Sequence, residues 1–219
     1  MPVTHDSFQK AVDSLDSLRD RLRAAPADFA AARQRGALLE ITGDLVAFSD
    51  VLLDVHDAAV AFEAKQEDGL LDPELLPRPM RVVRRLHATY RSFFFLSREL
   101  QDHAFGALLL TCPGCSLPPY PSMNAAANPR NPVRVLLDET APDYWEWFDR
   151  WRTLRNKLKD GISVHLVGPT TDLGIGFSIE DGDVHLGRHV VRLADAAETL
   201  ERSAAVVDAV AGRLHARFG

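Results

Sequence analysis

The sequence predicts a mainly α fold: an up-and-down helical bundle with a small antiparallel β-meander inserted before the last helix. Three observations carry this. Apolar residues recur at steps of three and four over most of the chain, the period of a helix with one buried face. Between residues 162 and 189 that rhythm gives way to alternation, the period of a strand. No repeat of fixed period and no low-complexity tract interrupts the chain, and 219 residues suit one domain, 1–219.

The first helix is expected over residues 5 to 24. Phe8, Val12, Leu15, Leu18 and Leu22 give its buried stripe, and Asp6 or Thr4 suits its cap. The stretch from Ala24 through Pro26 to Asp28 ends it. A second helix follows from near Asp28 to about Glu67. Its seam steps three, four, three, four through Leu38, Ile41, Leu45, Phe48, Leu52, Val55, Ala59 and Phe62. At 1.5 Å per residue it is roughly 50–60 Å long, a spine for the bundle or one side of a dimer interface. Gly36 and Gly43 weaken it locally. Asp50, Asp54 and Asp57 share a face, with His56 beside them. Carboxylate-bridged metal sites in bundles use a Glu-x-x-His pair, which this chain lacks. The face is read as acidic and solvated, and no metal or other cofactor is expected.

Asp72, Pro73 and Glu74 resemble a helix start, and Pro77 and Pro79 a turn before the main third helix, which runs to about Leu110. Met80, Val83, Leu86, Tyr90, Phe93, Phe94 and Leu100 form its inner face. Arg78, Arg81, Arg84 and Arg85 crowd its start, where cations oppose the helix dipole. They call for an acidic partner, either the Asp-rich second helix or a phosphate, and an intramolecular salt bridge is the preferred reading.

Residues 111–142 hold seven of the thirteen prolines and are expected to form a long irregular loop. Cys112 and Cys115 lie here. A Cys-x-x-Cys pair serves redox chemistry or half a zinc site, but the βαβ context of the first is missing and so is a second pair. They are read as structural. Asn128 to Asn131 is turn-rich, and Val133 to Leu137 is a short apolar run.

Residues 143–161 hold all three tryptophans and the densest run of basic residues. Pro142 suits a first helical turn, Thr140 with Asp143 resembles a capping box, and Gly161 suits a left-handed stop. Tyr144, Trp147, Phe148, Trp151, Leu154 and Leu158 share the inner face. Arg155 and Asn156 interrupt that face near its end, and Arg150, Arg152, Lys157 and Lys159 surround them with positive charge. The run also complements the helix dipole.

After Gly161, residues 162–167, 173–179 and 184–189 read as three strands, with a hairpin signal at Glu180 to Asp183. His165, His185 and His189 are the chain's only concentration of histidines. Alternation puts His165 on the face opposite Val164. The last helix runs from about Leu193 to Phe218, with Asp195 at its start and Leu200, Val207, Val210 and Leu214 inward.

The segment from Trp151 to Gly161 resembles the Arg-Asn-x-x-x-His-Gly signature of HEPN-domain proteins. Members of that family are helical bundles, often dimeric. Many are metal-independent ribonucleases or nuclease-derived partners in toxin–antitoxin and defence systems. The resemblance implies that Arg155 and Asn156 occupy the polar motif positions. The family's histidine is missing: Asp160 stands at its first position, and Gly161 and Ile162 follow. Metal-free RNA cleavage needs a base for the 2′-hydroxyl proton and a cation for the phosphate. Arg155 supplies the cation. Asp160 serves as a base near neutral pH only if burial raises its pKa, and His165, His185 and His189 are the spatial substitutes. The resemblance therefore implies a catalytically degenerate partner that binds RNA or a cognate protein, with Arg155, Asn156 and Asp160 at the motif and Arg152, Lys157, Lys159 and His165 binding around it. An active metal-independent ribonuclease and a helical scaffold unrelated to nucleic acid are the alternatives.

Composition narrows the classes. A net charge of −6 argues against bulk electrostatic binding to nucleic acid and leaves room for a local basic patch. No run of about 18 apolar residues is present, so no membrane span is expected. The first residues lack a basic-then-apolar leader, which makes the cytoplasm the expected compartment.

Overall fold

The computed structural model describes residues 5–67, 77–161, 163–169, 172–181 and 184–219. In chain order its elements are α1 (His5–Ala24), α2 (Phe29–Glu67), α3 (Pro77–Thr111), a 3-10 turn (Met123–Ala127), α4 (Pro132–Thr140), α5 (Tyr144–Asp160), β1 (Ser163–Val167), β2 (Gly174–Asp181), β3 (Val184–Arg192) and α6 (Leu193–Phe218). This is the expected helical bundle with a three-stranded antiparallel meander before the last helix, in the order β1-β2-β3.

The four long helices close into a ring: α1 packs on α2 and α6, α2 on α3, and α3 on α6. The first three run up, down, up. Gln34 of α2 bonds His103 near the end of α3, while Phe48 and Leu96 share a groove further along. α6 runs parallel to α3, since Gln101 bonds Ser203 and Arg213 acts on the Cys112 thiol. A parallel neighbour requires the chain to return along the bundle first. Residues 112–192 make that return, and they carry α4, α5 and the sheet.

α5 is anchored by its aromatic half. Tyr144, Trp145, Trp147, Phe148 and Trp151 are all buried. Tyr144 stacks on Phe148 with centroids 5.8 Å apart, and Trp147 stacks on Trp151 at 5.5 Å. Such ring pairs contribute about 0.5–1.5 kcal/mol beyond their buried area. The Tyr144 hydroxyl donates to Gln101 Oε1, and Gln101 Nε2 donates to Ser203 Oγ at 3.3 Å. This relay ties α5 to α3 and α6 through the middle of the core.

The seam of α2 is more polar than periodicity suggested. Leu38, Leu45, Leu52, Val55 and Ala59 are buried as expected, but Thr42, Ser49 and His56 are buried with them, whereas Ile41, Phe48 and Phe62 are half-buried. Ser49 resolves its burial locally, donating to the Leu45 carbonyl at 2.8 Å.

Several local expectations are corrected. The 111–142 segment is not a plain loop. Asn131 caps α4 by accepting from Val133 N at 3.0 Å, and Pro132 takes the first helical position, so the apolar run 133–137 is helical. Thr140 does not cap α5, because its hydroxyl donates back to Leu136 inside α4. α5 starts at Tyr144, after Asp143 in a left-handed conformation (φ 64°), and Pro142 stays outside the helix. Gly161 is extended, not left-handed (φ −67°); what demands glycine there is packing, as a Cβ would lie 2.6 Å from the Phe177 ring. Arg81, Arg84 and Arg85 are exposed and pair with no acid among the described residues. Asp195 sits at the third position of α6 and accepts from Arg192 N at 2.7 Å. The start signal at Asp72 to Glu74 and the turn residues Gly182 and Asp183 lie outside the described residues. No described helix is long and apolar enough to cross a membrane.

Candidate functional site

Past Trp151, Leu154 and Leu158 keep one face of α5 on the core, and the polar residues divide between two other sides. The i, i+3, i+4, i+7 spacing places Arg152, Arg155, Asn156 and Lys159 on one face. Lys157 stands two residues, about 200°, away from Arg155.

On the first face, three elements bring arginines together. Arg98 of α3 bonds Asp102 through Nε at 2.6 Å and Ser122 through a terminal nitrogen at 2.6 Å. Asp102 also accepts from Met123 N at 2.7 Å, which docks the 3-10 turn on α3. Arg152 bonds Asn124 at 2.9 Å and Asp149 at 3.1 Å. Arg155 is half-buried, and its guanidinium carbon lies 5.7 Å from the Trp151 ring centroid. Its hydrogen-bond partner is the neighbouring Asn156 side chain, and it makes no ion pair among the described residues. Burial first, and then the Arg98 charge, lowers the Arg155 pKa; Asp102 opposes this and Arg152 adds to it. Arginine keeps its proton regardless, so the result is a charged guanidinium short of compensating negative charge.

On the other side, Lys157 Nζ lies 3.5 Å from His189 Nδ1. The His189 ring packs on Phe177 at 5.7 Å, and its pKa is lowered by burial and then by Lys157. Lys159 and Asp160 are exposed at the end of the helix.

His165 is exposed on the outer face of the sheet. Val164 pairs with Phe177, whose ring is buried against Gly161 and His87, while His165 pairs with Gly176. A Cβ on Gly176 would lie 2.6 Å from His165 Nε2, so the missing side chain makes room for the imidazole. The side chain of His185 lies outside the described residues. The structure thus gathers Arg152, Arg155 and Asn156 on one face, sets Lys157 beside His189, and puts His165 across the sheet. Among the described residues, no histidine bonds Arg155 or Asn156.

Arg98, Asp102, Ser122 and Asn124 escaped the sequence reading. Arg98 and Asp102 form a legible i,i+4 pair, but nothing local shows that they meet α5. Cys112 and Cys115 are free; burial, then Cys115, pushes the Cys112 thiol up, which disfavours its reactive thiolate.

Chemically, the cluster offers a planar donor fork over an indole. A guanidinium fork of this kind receives phosphate oxygens bidentately. Comparison of the chain with protein-family models, with characterised proteins and with solved structures finds no match.

Proposed function

We propose that the protein is a HEPN-like RNA-binding partner of a defence or toxin–antitoxin type system, with its cleavage chemistry lost. The observation that supports this reading is Arg155: half-buried, set over Trp151, flanked by Arg98 and Arg152, and free of an ion pair among the described residues. A guanidinium held only to balance an acid would pair with one. An RNA phosphate supplies the missing charge, and the overall charge of −6 confines that attraction to the patch. What supports the loss of cleavage is that a general base must come within about 2.6–3.2 Å of its proton, directly or through one water. Among the described residues, the histidines that meet α5 do so at Lys157, on the side away from Arg155, and at the Leu158 backbone.

A homodimer belongs to the same proposal. Phe48, Val51 and Leu96 line an apolar groove between α2 and α3 that suits a second copy, and sedimentation of the purified chain tests it.

The RNA reading is tested by titrating labelled single-stranded and structured RNA, with chelator present, into wild type and Arg155→Ala. Binding that weakens about tenfold or more in the variant, with the RNA intact, is the expected result. Equal affinity in both, or no binding at low salt, removes the RNA reading and leaves a scaffold. Cleavage that vanishes in Arg155→Ala puts the active metal-independent ribonuclease first.

A further inference from the structure

The ring of helices sets the first turn of α1 against α2, far in sequence from the residues it meets. His5 Nε2 lies 2.7 Å from Asp57 Oδ1, and His56 Nδ1 lies 3.7 Å from the same oxygen. One donor atom from each residue falls within 4.8 Å of the other two. The two imidazole centroids are 6.3 Å apart at 62°.

His56 is the informative member. It is only 7% exposed, yet its Nδ1 has no hydrogen-bond partner, since 3.7 Å to Asp57 is too long. Its ring bonds the Leu173 backbone instead, which must involve the other nitrogen. A backbone carbonyl that takes Nε2–H fixes the tautomer and leaves a lone pair on Nδ1, the arrangement found behind metal-ligating histidines. Burial, the largest influence on this ring, favours the neutral form that a ligand needs.

We infer that His5, His56 and Asp57 bind a divalent metal ion of the zinc class, with a fourth coordination position open to solvent. Two imidazoles and one carboxylate are a borderline donor set that suits zinc and its neighbours better than magnesium or calcium. Ligand atoms about 2.0–2.1 Å from a tetrahedral ion stand roughly 3.3 Å apart, and the two spacings given above straddle that value. The His5 and Asp57 side chains are 52% and 54% exposed, which gives the ion a way in. On binding, the metal would take the place at His5 Nε2 of the proton bonded to Asp57; a neutral His5 keeps its proton on Nδ1, and a protonated one keeps that N–H and releases the Nε2 proton to solvent. The ion would staple the start of α1 to α2 and, through Leu173, to the approach to β2.

The test uses tag-free chain, wild type beside His5→Ala and Asp57→Asn, both at half-exposed positions that the fold tolerates. Zinc is titrated by calorimetry, and cobalt(II) is added to read coordination geometry from its visible spectrum. One zinc per chain, tetrahedral cobalt bands, a raised melting temperature, and a loss of affinity of about tenfold or more in each variant are expected. Zinc affinity equal in all three proteins, or no binding at a large excess of metal, overturns the inference. His56→Gln, checked for folding by circular dichroism, must lose the cobalt bands as well; bands that persist in it overturn the assignment of His56.

Discussion

Arg155 sits over the ring of Trp151, one helical turn before it, and makes no ion pair among the described residues, while its neighbours Arg98 and Arg152 are each matched with an aspartate. The two matched arginines hold α3, the 3-10 turn and α5 together. Arg155 is left with the Asn156 side chain as its hydrogen-bond partner.

This asymmetry separates the roles of the basic residues. Arg155→Ala is expected to weaken RNA binding about tenfold or more and to lower the salt slope by roughly one. Arg155→Lys should recover only part, because a point charge lacks the bidentate fork. Lys157→Ala, on the far side of α5, should change affinity far less. Filter binding at several salt concentrations reads all three, and an equal loss in Lys157→Ala would refute the two-sided arrangement.

Gly161→Ala tests the junction of helix and sheet. Its backbone is ordinary for any residue, so the whole effect is steric, from a Cβ placed 2.6 Å from Phe177. Overpacking of this kind costs about 1–3 kcal/mol. Urea denaturation should show that loss, and Phe177→Leu in the same background should cost less than in wild type. Additive losses would mean that the contact is not the cause.

The buried relay is open to a double-mutant cycle. Tyr144→Phe removes the donor to Gln101 and leaves a buried acceptor unsatisfied, at a cost of about 1–3 kcal/mol. Gln101→Leu removes both bonds of the relay. The double variant should lose less than the sum of the two singles. Strict additivity would show that the two side chains act independently.

Stability should fall at both ends of the pH range. His56 and His87 are held below the ordinary value of 6.5, chiefly by burial, with Arg91 adding for His87 and backbone hydrogen bonds opposing in both. The unfolded chain therefore takes up protons first, and stability present above pH 6.5 is lost as pH falls below it. Tyr90 and Tyr144 are raised above 10.0 by burial, so stability is lost as pH rises past that value. Asp195, raised by burial, acts in the same sense as the tyrosines but nearer the carboxylate range, and so opposes the acid limb of the histidines. Melting temperature measured from pH 5 to 11 checks both limbs, and His87→Gln should flatten the acid one. An unchanged acid limb would remove His87 from this account.

The periodicity of Phe8 to Leu22, of Leu38 to Ala59 and of Leu200 to Leu214, and the alternation after Gly161, determined the helices, the meander and most of the core. Those patterns are local: a helix face or a strand face is written within a few residues of itself. Local chemistry also announced α4, through Asn131 and Pro132, although proline density concealed it. Other features depend on which elements meet. Thr42, Ser49 and His56 are buried because the ring closes over that side of α2, and no polar residue signals this from its neighbours. Arg98 reaches the α5 cluster, and His5 reaches Asp57, across 52 residues of chain in the second case. Side chains so far apart are placed by packing of the whole bundle, and the energy that brings them together resides in the apolar seams. The sequence by itself determined which faces are buried; only the tertiary structure decided which polar groups those faces bring within reach of one another.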